Sequence, residues 1–284
     1  MTPETITAPK QPRSWRRIRA RARWIIPTTA LTVMVLAAFF APLPFDPDTP
    51  AQGKTLVPPG SEHWLGTDKF GLDVFSRLIA SAGLDIPLAI TGLIVSLALG
   101  VPLGLLASQR GRWGESVVRV LDVFQAFPLL ILAIAVVALM GNNIQNVVVA
   151  IAIINVPRFI RLVRSEGLTI RESRYFEAAE AIGVPNHRLM FKHMLPNMIG
   201  TILSQASLAV AHAIVVIASL SFLGIGINAA DASWGAMIQT GAQSMTTGQW
   251  WASVFPGLAI FVTIMCFNSI SHCLQENFGR AKQL

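Results

Sequence analysis

Six long apolar runs, at about residues 24–43, 86–109, 117–140, 147–163, 194–227 and 250–274, alternate with shorter polar stretches along this chain. An α-helix rises about 1.5 Å per residue, so about 20 apolar residues cross a hydrocarbon core of about 30 Å. Each run is therefore predicted to form one membrane-crossing helix, the fifth being longer than one crossing requires. Between the first two runs, Pro42, Pro44, Pro47, Pro50, Pro58 and Pro59 prevent a long helix. The residues from Gly141 to Asn146 read as a short uncharged polar turn. The pattern divides the chain into a tail at 1–23, a first helix at 24–43 and a loop at 44–82. A five-helix core at 83–278, containing a polar connection at 165–193, and a tail at 279–284 complete it. There is no repeat with a period of about 20–50 residues, and no matched pair of short, interrupted helices in two halves.

Composition sharpens the class. Of 284 residues, 53% are hydrophobic and only 13% charged, with a mean hydropathy of +0.56. A soluble domain carries about 25% charged residues, so a water-soluble, disordered or collagen-like chain is excluded. The net charge of +7 arises from 22 Lys and Arg against 15 Asp and Glu. The basic residues lie between apolar runs and not in a stripe interleaved with aromatics, which points to membrane orientation and not to nucleic acid. With the N-terminus in the cytoplasm, the far side keeps only the basic residues Lys54, Lys69 and Arg77, beside Asp46, Asp48, Glu62, Asp68, Asp73 and Asp231. The positive-inside rule then predicts cytoplasmic N- and C-termini and an all-α, polytopic membrane protein with six transmembrane helices. A cleaved signal peptide is the alternative for the first run. That run is near 20 residues and ends Phe39-Phe40-Ala41-Pro42, so it reads as a retained membrane helix. Cys266 and Cys273 would stand about 10 Å apart along one helix, too far to bridge, and read as buried thiols.

Signatures of catalysis are missing. The sequence has no G-x-x-x-x-G-K-[ST] phosphate loop, no nucleophile elbow and no H-E-x-x-H. The chain is predicted to be a non-catalytic component with no cofactor and no metal of its own. Within the runs, Asp85, Asp122, His212 and His272 each stand alone or near a predicted membrane edge. A proton relay and a filter-like segment, expected of an ion-coupled carrier or a channel, are both absent. His212 reads as a packed or hydrogen-bonded side chain. Arg158, Arg161 and Arg164 close the fourth run and share one helix face.

The polar connection is the informative segment. Residues 175–182 are Ala-rich and favour a short helix, Gly183 suits a left-handed stop, Pro185 marks a break, and Asn186 is placed to cap a second short helix. Two short helices of this kind form a protruding knob. It would expose Ile182, Val184, Leu189 and Phe191, and so calls for a partner. An amphipathic connector on the membrane surface is the alternative.

Glu177-Ala178-Ala179, three residues, Gly183, then Leu195-Pro196 resembles the signature loop of importer-type ABC permeases. In that family the loop forms a coupling helix that docks in a groove of a separate ATPase subunit. The resemblance implies a type I ABC importer permease fold. Glu177, Ala178, Ala179 and Gly183 would form the core of the cytoplasmic coupling helix, with Leu195 and Pro196 closing it. His63-Trp64-Leu65-Gly66-Thr67-Asp68 followed by Gly71, Asp73, Phe75, Ser76 and Arg77 is similar to the extracytoplasmic motif of the dipeptide, oligopeptide and nickel permeases of the C-subunit type. Gly66, Thr67, Asp68, Gly71 and Asp73 are its candidate residues. Residues 219–226 with 233–237, and 255–259 with 267–268, resemble the fifth-helix and last-helix motifs of the same family. Two departures stand out: Leu72 replaces a usual Arg, and Ser271-His272-Cys273-Leu274-Gln275-Glu276 replaces a usual G-D-G-L-R-D end.

The resemblance implies an inner-membrane permease working with a paired homologous permease, two ATP-binding subunits that hold ATP and Mg, and an extracytoplasmic substrate-binding protein. Dipeptides or oligopeptides are the leading substrate class, with nickel or a metallophore second. A free-standing secondary carrier and a membrane scaffold are the readings from other classes. Gly92, Gly100 and Gly104 in the second run are placed for close helix packing.

Overall fold

The computed structural model describes residues 13–51, 53–109, 111–227 and 231–281. The described residues are helices and loops, with one isolated antiparallel bridge between Thr67 and Asp73. The helices are α1 (Arg13–Phe40), α2 (Val74–Ala107), α3 (Arg112–Gln125), α4 (Leu129–Met140), α5 (Ile144–Arg171) and α6 (Arg174–Ala181). They continue as α7 (Asn186–Arg188), a π-helical turn at Leu189–Met194, α8 (Leu195–Phe222), α9 (Trp234–Ala242) and α10 (Trp251–Ala281). Residues 1–12 and 282–284 of the two expected tails, and Arg110, lie outside the described residues.

Four stretches are long and apolar enough to cross a membrane: α2, α5, the continuous Asn186–Phe222 and Trp251–Phe278 of α10. The bent pair α3 and α4 makes a fifth. The apolar part of α1, Trp24–Phe40, is shorter, about 25 Å at 1.5 Å per residue.

Several boundaries differ from the expectations. The loop expected to reach residue 82 ends at Asp73, because Asp73 caps α2 through Oδ2, which accepts from the Ser76 amide at 2.8 Å. Arg77 made this stretch look water-exposed. Its guanidinium is buried and donates to the Asp231 carbonyl at 3.3 Å, so the helix carries it inside. The third run is two helices bent by 88° at residues 126–128. Pro128 has no amide to donate and pushes Phe127 out of helical geometry, so an uninterrupted apolar run still breaks there. The fourth run does not stop at 163, because α5 continues to Arg171. Two of its arginines are neutralised along the way: Arg161 pairs with Asp122 of α3, and Arg164 bonds the Ala107 carbonyl of α2. The fifth helix ends at Phe222, and α10 runs on through 279–281, where a tail was expected.

The main core joins α2, α4, α5, α8 and α10 around Ile86, Ala89, Val147, Ile151, Phe159, Ile214 and Ile217. Its closest seam is α2 on α5. A Cβ added at Gly92, Gly100 or Gly104 would come within 2.6–2.7 Å of Ile151, Phe159 or Val163. The three glycines therefore hold the two helices at a distance that no larger residue permits. Across α8 and α10, serines exchange bonds with backbone: Ser207 Oγ donates to the Phe267 carbonyl at 2.7 Å and Ser271 Oγ to the Ser204 carbonyl at 2.8 Å. The second of these uses the start of the segment that departs from the usual last-helix motif. Cys266 and Cys273 are buried and are not joined in a disulfide.

Candidate functional site

The connection between α5 and α8 is built by local capping. The Ser173 hydroxyl accepts from the Phe176 amide at 3.4 Å and opens α6. At the other end the Gly183 amide donates to the Glu180 carbonyl at 3.0 Å and the Val184 amide to the Ala179 carbonyl at 3.2 Å. This double closure requires a left-handed residue after the helix, and Gly183 supplies it at φ +80°. Asn186 differs from its expected role as a cap. Pro185 already provides the extended geometry before α7, and Asn186 Oδ1 accepts instead from Arg171 Nη2 of α5 at 3.3 Å.

Packing then fixes α6 to the bundle. Phe176 is fully buried and joins Ala179, Leu189, Met190, Met194 and Met198 in a second core cluster. Leu105 of α2, Val163 of α5 and Ile202 of α8 complete that cluster, and the Arg171 guanidinium lies 5.3 Å from the Phe176 ring. Of the four apolar residues expected at the surface, Leu189, on the π turn, is buried in the cluster, and Val184, at the α6 stop, is half-buried against it. Ile182 and Phe191 remain 82% and 57% exposed. Burial of one α6 face leaves Glu177, Ala178, Ile182 and Gly183 on the outer face.

The π turn has a local cause. Pro196 in a regular helix would clash with the carbonyl four residues earlier, and a wider turn before it relieves that contact. Leu195 is half-buried against the same cluster as Ala179, and Pro196 is exposed on the first turn of α8. The six candidates are therefore not one patch. Four lie on α6 and its stop, and two lie where α8 begins. A hydrogen bond between the Tyr175 hydroxyl and His193 Nδ1 straps α6 to the π turn, their rings 5.5 Å apart. Sequence spacing gave no hint of it, since the contact depends on the π turn.

At the far end of α2, the second candidate set forms a tethered loop. Thr67 Oγ1 donates to the Lys54 carbonyl at 2.6 Å and accepts from the Val57 amide at 2.8 Å. Asp68 Oδ1 accepts from the amides of Phe70 at 2.8 Å and Leu72 at 2.9 Å. Burial raises the Asp68 pKa, opposed by those two amides and by nearby Arg77 and Lys69. Gly71 accepts from the Ala51 amide at 2.9 Å. Asp73 caps α2 with one oxygen and meets the buried His63 Nδ1 with the other at 2.8 Å. Gly66 sits at φ +78°, and a Cβ there would fall 2.8 Å from Trp251 Nε1, which donates to the Thr67 carbonyl at 3.1 Å. Leu72, in place of the usual Arg, is buried. All five loop candidates come together here, and each has a bonding or conformational role in holding the loop over α2 and α10.

One buried contact was not anticipated. Asp85 of α2 accepts from the Trp234 amide at 2.9 Å, and Trp234 Nε1 donates to the Leu78 carbonyl at 3.0 Å, so α2 seats the start of α9. Ser233, which caps α9 through the Ala236 amide at 3.3 Å, was the sequence signal for that helix start. His212 bonds the Leu208 carbonyl at 2.8 Å, within the hydrogen-bonded reading, but on the outward face of α8.

Residues 100–283 match the family described as binding-protein-dependent transport system inner membrane component. The chain is similar to a dipeptide transport system permease protein, DppC, of Alkalihalophilus pseudofirmus, with 36% identity over 97% of this chain and 94% of that protein. It is also similar to a glutathione transport system permease protein, GsiD, of Pectobacterium atrosepticum, with 35% identity over 92% of this chain and 88% of that protein. Among solved structures it resembles a chain of the MetNI methionine ABC transporter in an inward-facing conformation. That likeness has a TM-score of 0.57 and 16% identity over 74% of this chain and 96% of that one, and concerns the fold. With the helical bundle, the capped connection and the matched segment in agreement, this multi-pass chain belongs to the family of binding-protein-dependent transport inner-membrane components.

Proposed function

We propose that this chain is one of two permease subunits of an ATP-driven importer for dipeptides or oligopeptides, and that α6 and its Gly183 stop form the surface gripped by an ATP-binding subunit. The observation that carries this reading is the two-faced construction of α6. Phe176 locks one face into a cluster shared with α2, α5 and α8, and Ile182 stands 82% exposed on the other. A push on the outer face is then passed to three long helices as a rigid displacement, which alternating access requires. The dipeptide and glutathione transport names of the two relatives support a peptide-like substrate. In this reading ATP and Mg are held by the two partner ATPase subunits, and both termini and α6 face the cytoplasm. The tethered loop then faces a substrate-binding protein outside, and a homologous permease covers the outward apolar faces.

Reconstitution of this chain with a homologous permease, ATPase subunits and binding protein in proteoliposomes tests the proposal. Labelled dipeptide is expected inside only when ATP and every component are present, and excess unlabelled oligopeptide is expected to compete. Uptake without the ATPase subunits would make the chain a carrier. Competition by nickel alone, without peptide competition, would move the substrate class to metals.

A further inference from the structure

Two prolines open a cavity at the elbow of the bent span. Against α5, the α3–α4 junction forms an open cleft of about 250 Å³ lined in part by Phe124, Gln125, Phe127, Leu129, Pro157 and Arg158. Pro128 makes the elbow, and Pro157 deprives the Ile153 carbonyl, also on the wall, of its helical donor. The α5 arginines meet different fates. Arg161 is paired with Asp122 and Arg164 with the Ala107 carbonyl, whereas Arg158 has no hydrogen-bond or ion-pair partner among the described residues.

Position makes this unusual. Arg158 lies about 18 Å along α5 from Asn146, within Ile144–Arg171, a helix long and apolar enough to cross a membrane. A cation within such a helix is retained where it lines a hydrated path or meets a counter-charge. The cavity is smaller than the ~300–1,000 Å³ of a complete ligand pocket, so it suits one end of a molecule. Its lining offers a guanidinium fork, the Gln125 amide and two phenyl rings. That set fits a planar carboxylate, which a guanidinium can hold through two parallel bonds.

We propose that Arg158 is a carboxylate subsite on the translocation path, receiving the C-terminal carboxylate of the peptide in transit. The inference rests on the importer reading above and adds the chemical group that this chain recognises. The test compares uptake of a dipeptide and of its C-terminal amide by the full reconstituted complex, each at saturating loaded binding protein. Wild type is set against Arg158→Gln and Arg158→Lys, with binding-protein-stimulated ATP hydrolysis measured in the same vesicles. Arg158→Gln is expected to lower uptake of the free acid about tenfold or more, the scale of one lost charge-assisted hydrogen bond. Amide uptake should change less than about twofold and ATPase stimulation should persist, while Arg158→Lys restores part of the preference for the acid. Equal losses for acid and amide, or none, would overturn the assignment, leaving Arg158 a structural or lipid-facing cation. Wild-type uptake without ATPase subunits would instead overturn the importer reading, and this inference with it.

Discussion

Gly66 and Gly183 have nearly the same backbone, φ +78° and +80°, and opposite surroundings. A methyl group at Gly66 meets Trp251 and the Val57 carbonyl, whereas at Gly183 it meets nothing within 4 Å. Gly66→Ala is therefore expected to cost about 3–5 kcal/mol, from strain and overpacking together. Gly183→Ala should cost about 1–2 kcal/mol, the left-handed backbone alone. Thermal unfolding of the purified complex in detergent checks the order, which should show the larger drop in Tm for Gly66→Ala. Asp68 gives a pH dependence. Because burial raises its folded-state pKa, its contribution to loop stability is full below the ordinary carboxylate value and is lost as pH rises through the raised one. Hydrogen exchange at the Phe70 and Leu72 amides, which bond that carboxylate, should quicken across this window beyond the intrinsic pH trend. Asp68→Asn should remove the extra slope.

Elements with local causes were legible in the sequence. The Ala-rich α6 and its Gly183 stop needed nothing beyond their own neighbours. Elements whose ends depend on distant partners were not. Arg77 and Arg161 read as charges that end a span, yet Asp231 and Asp122 receive them, so α2 starts earlier and α5 runs on. The 88° bend escaped an apolar-run reading because Pro128 is nearly invisible to hydropathy, although it dictates the break. The six candidates were named from the sequence motif, but their division between α6 and the start of α8 follows from the π turn, which has no simple sequence signal. The two faces of α6 make a paired prediction. Phe176→Ala is expected to cost about 3–5 kcal/mol and to loosen the connection, visible as fast hydrogen exchange over 174–194. Ile182→Ala, on the exposed face, should change stability by less than about 0.5 kcal/mol.

At the scale of the whole molecule, the proposed reading makes the chain a lever with a stiff arm. The glycine seam locks α2 to α5, paired serines hold α8 to α10, and the Phe176 cluster ties α6 to the ends of α2, α5 and α8. In that reading a force on the outer face of α6 passes through the Phe176 cluster to the crossing helices. The far end is equally tied, since Asp73 and Trp251 tether the loop to α2 and α10 and Asp85 holds the start of α9. The measurement that tests this account most directly is ATP hydrolysis by the complete complex in proteoliposomes, with and without loaded binding protein. It compares wild type with Glu177→Lys, Ile182→Asp and Gly183→Asp, all on the exposed face. The account predicts that Glu177→Lys and Ile182→Asp insert and unfold much like wild type, that Gly183→Asp inserts but loses about 1–2 kcal/mol to its left-handed backbone, and that all three lose most of the binding-protein stimulation. Stimulation equal to wild type in all three would contradict it, and would make α6 a surface connector with no part in coupling.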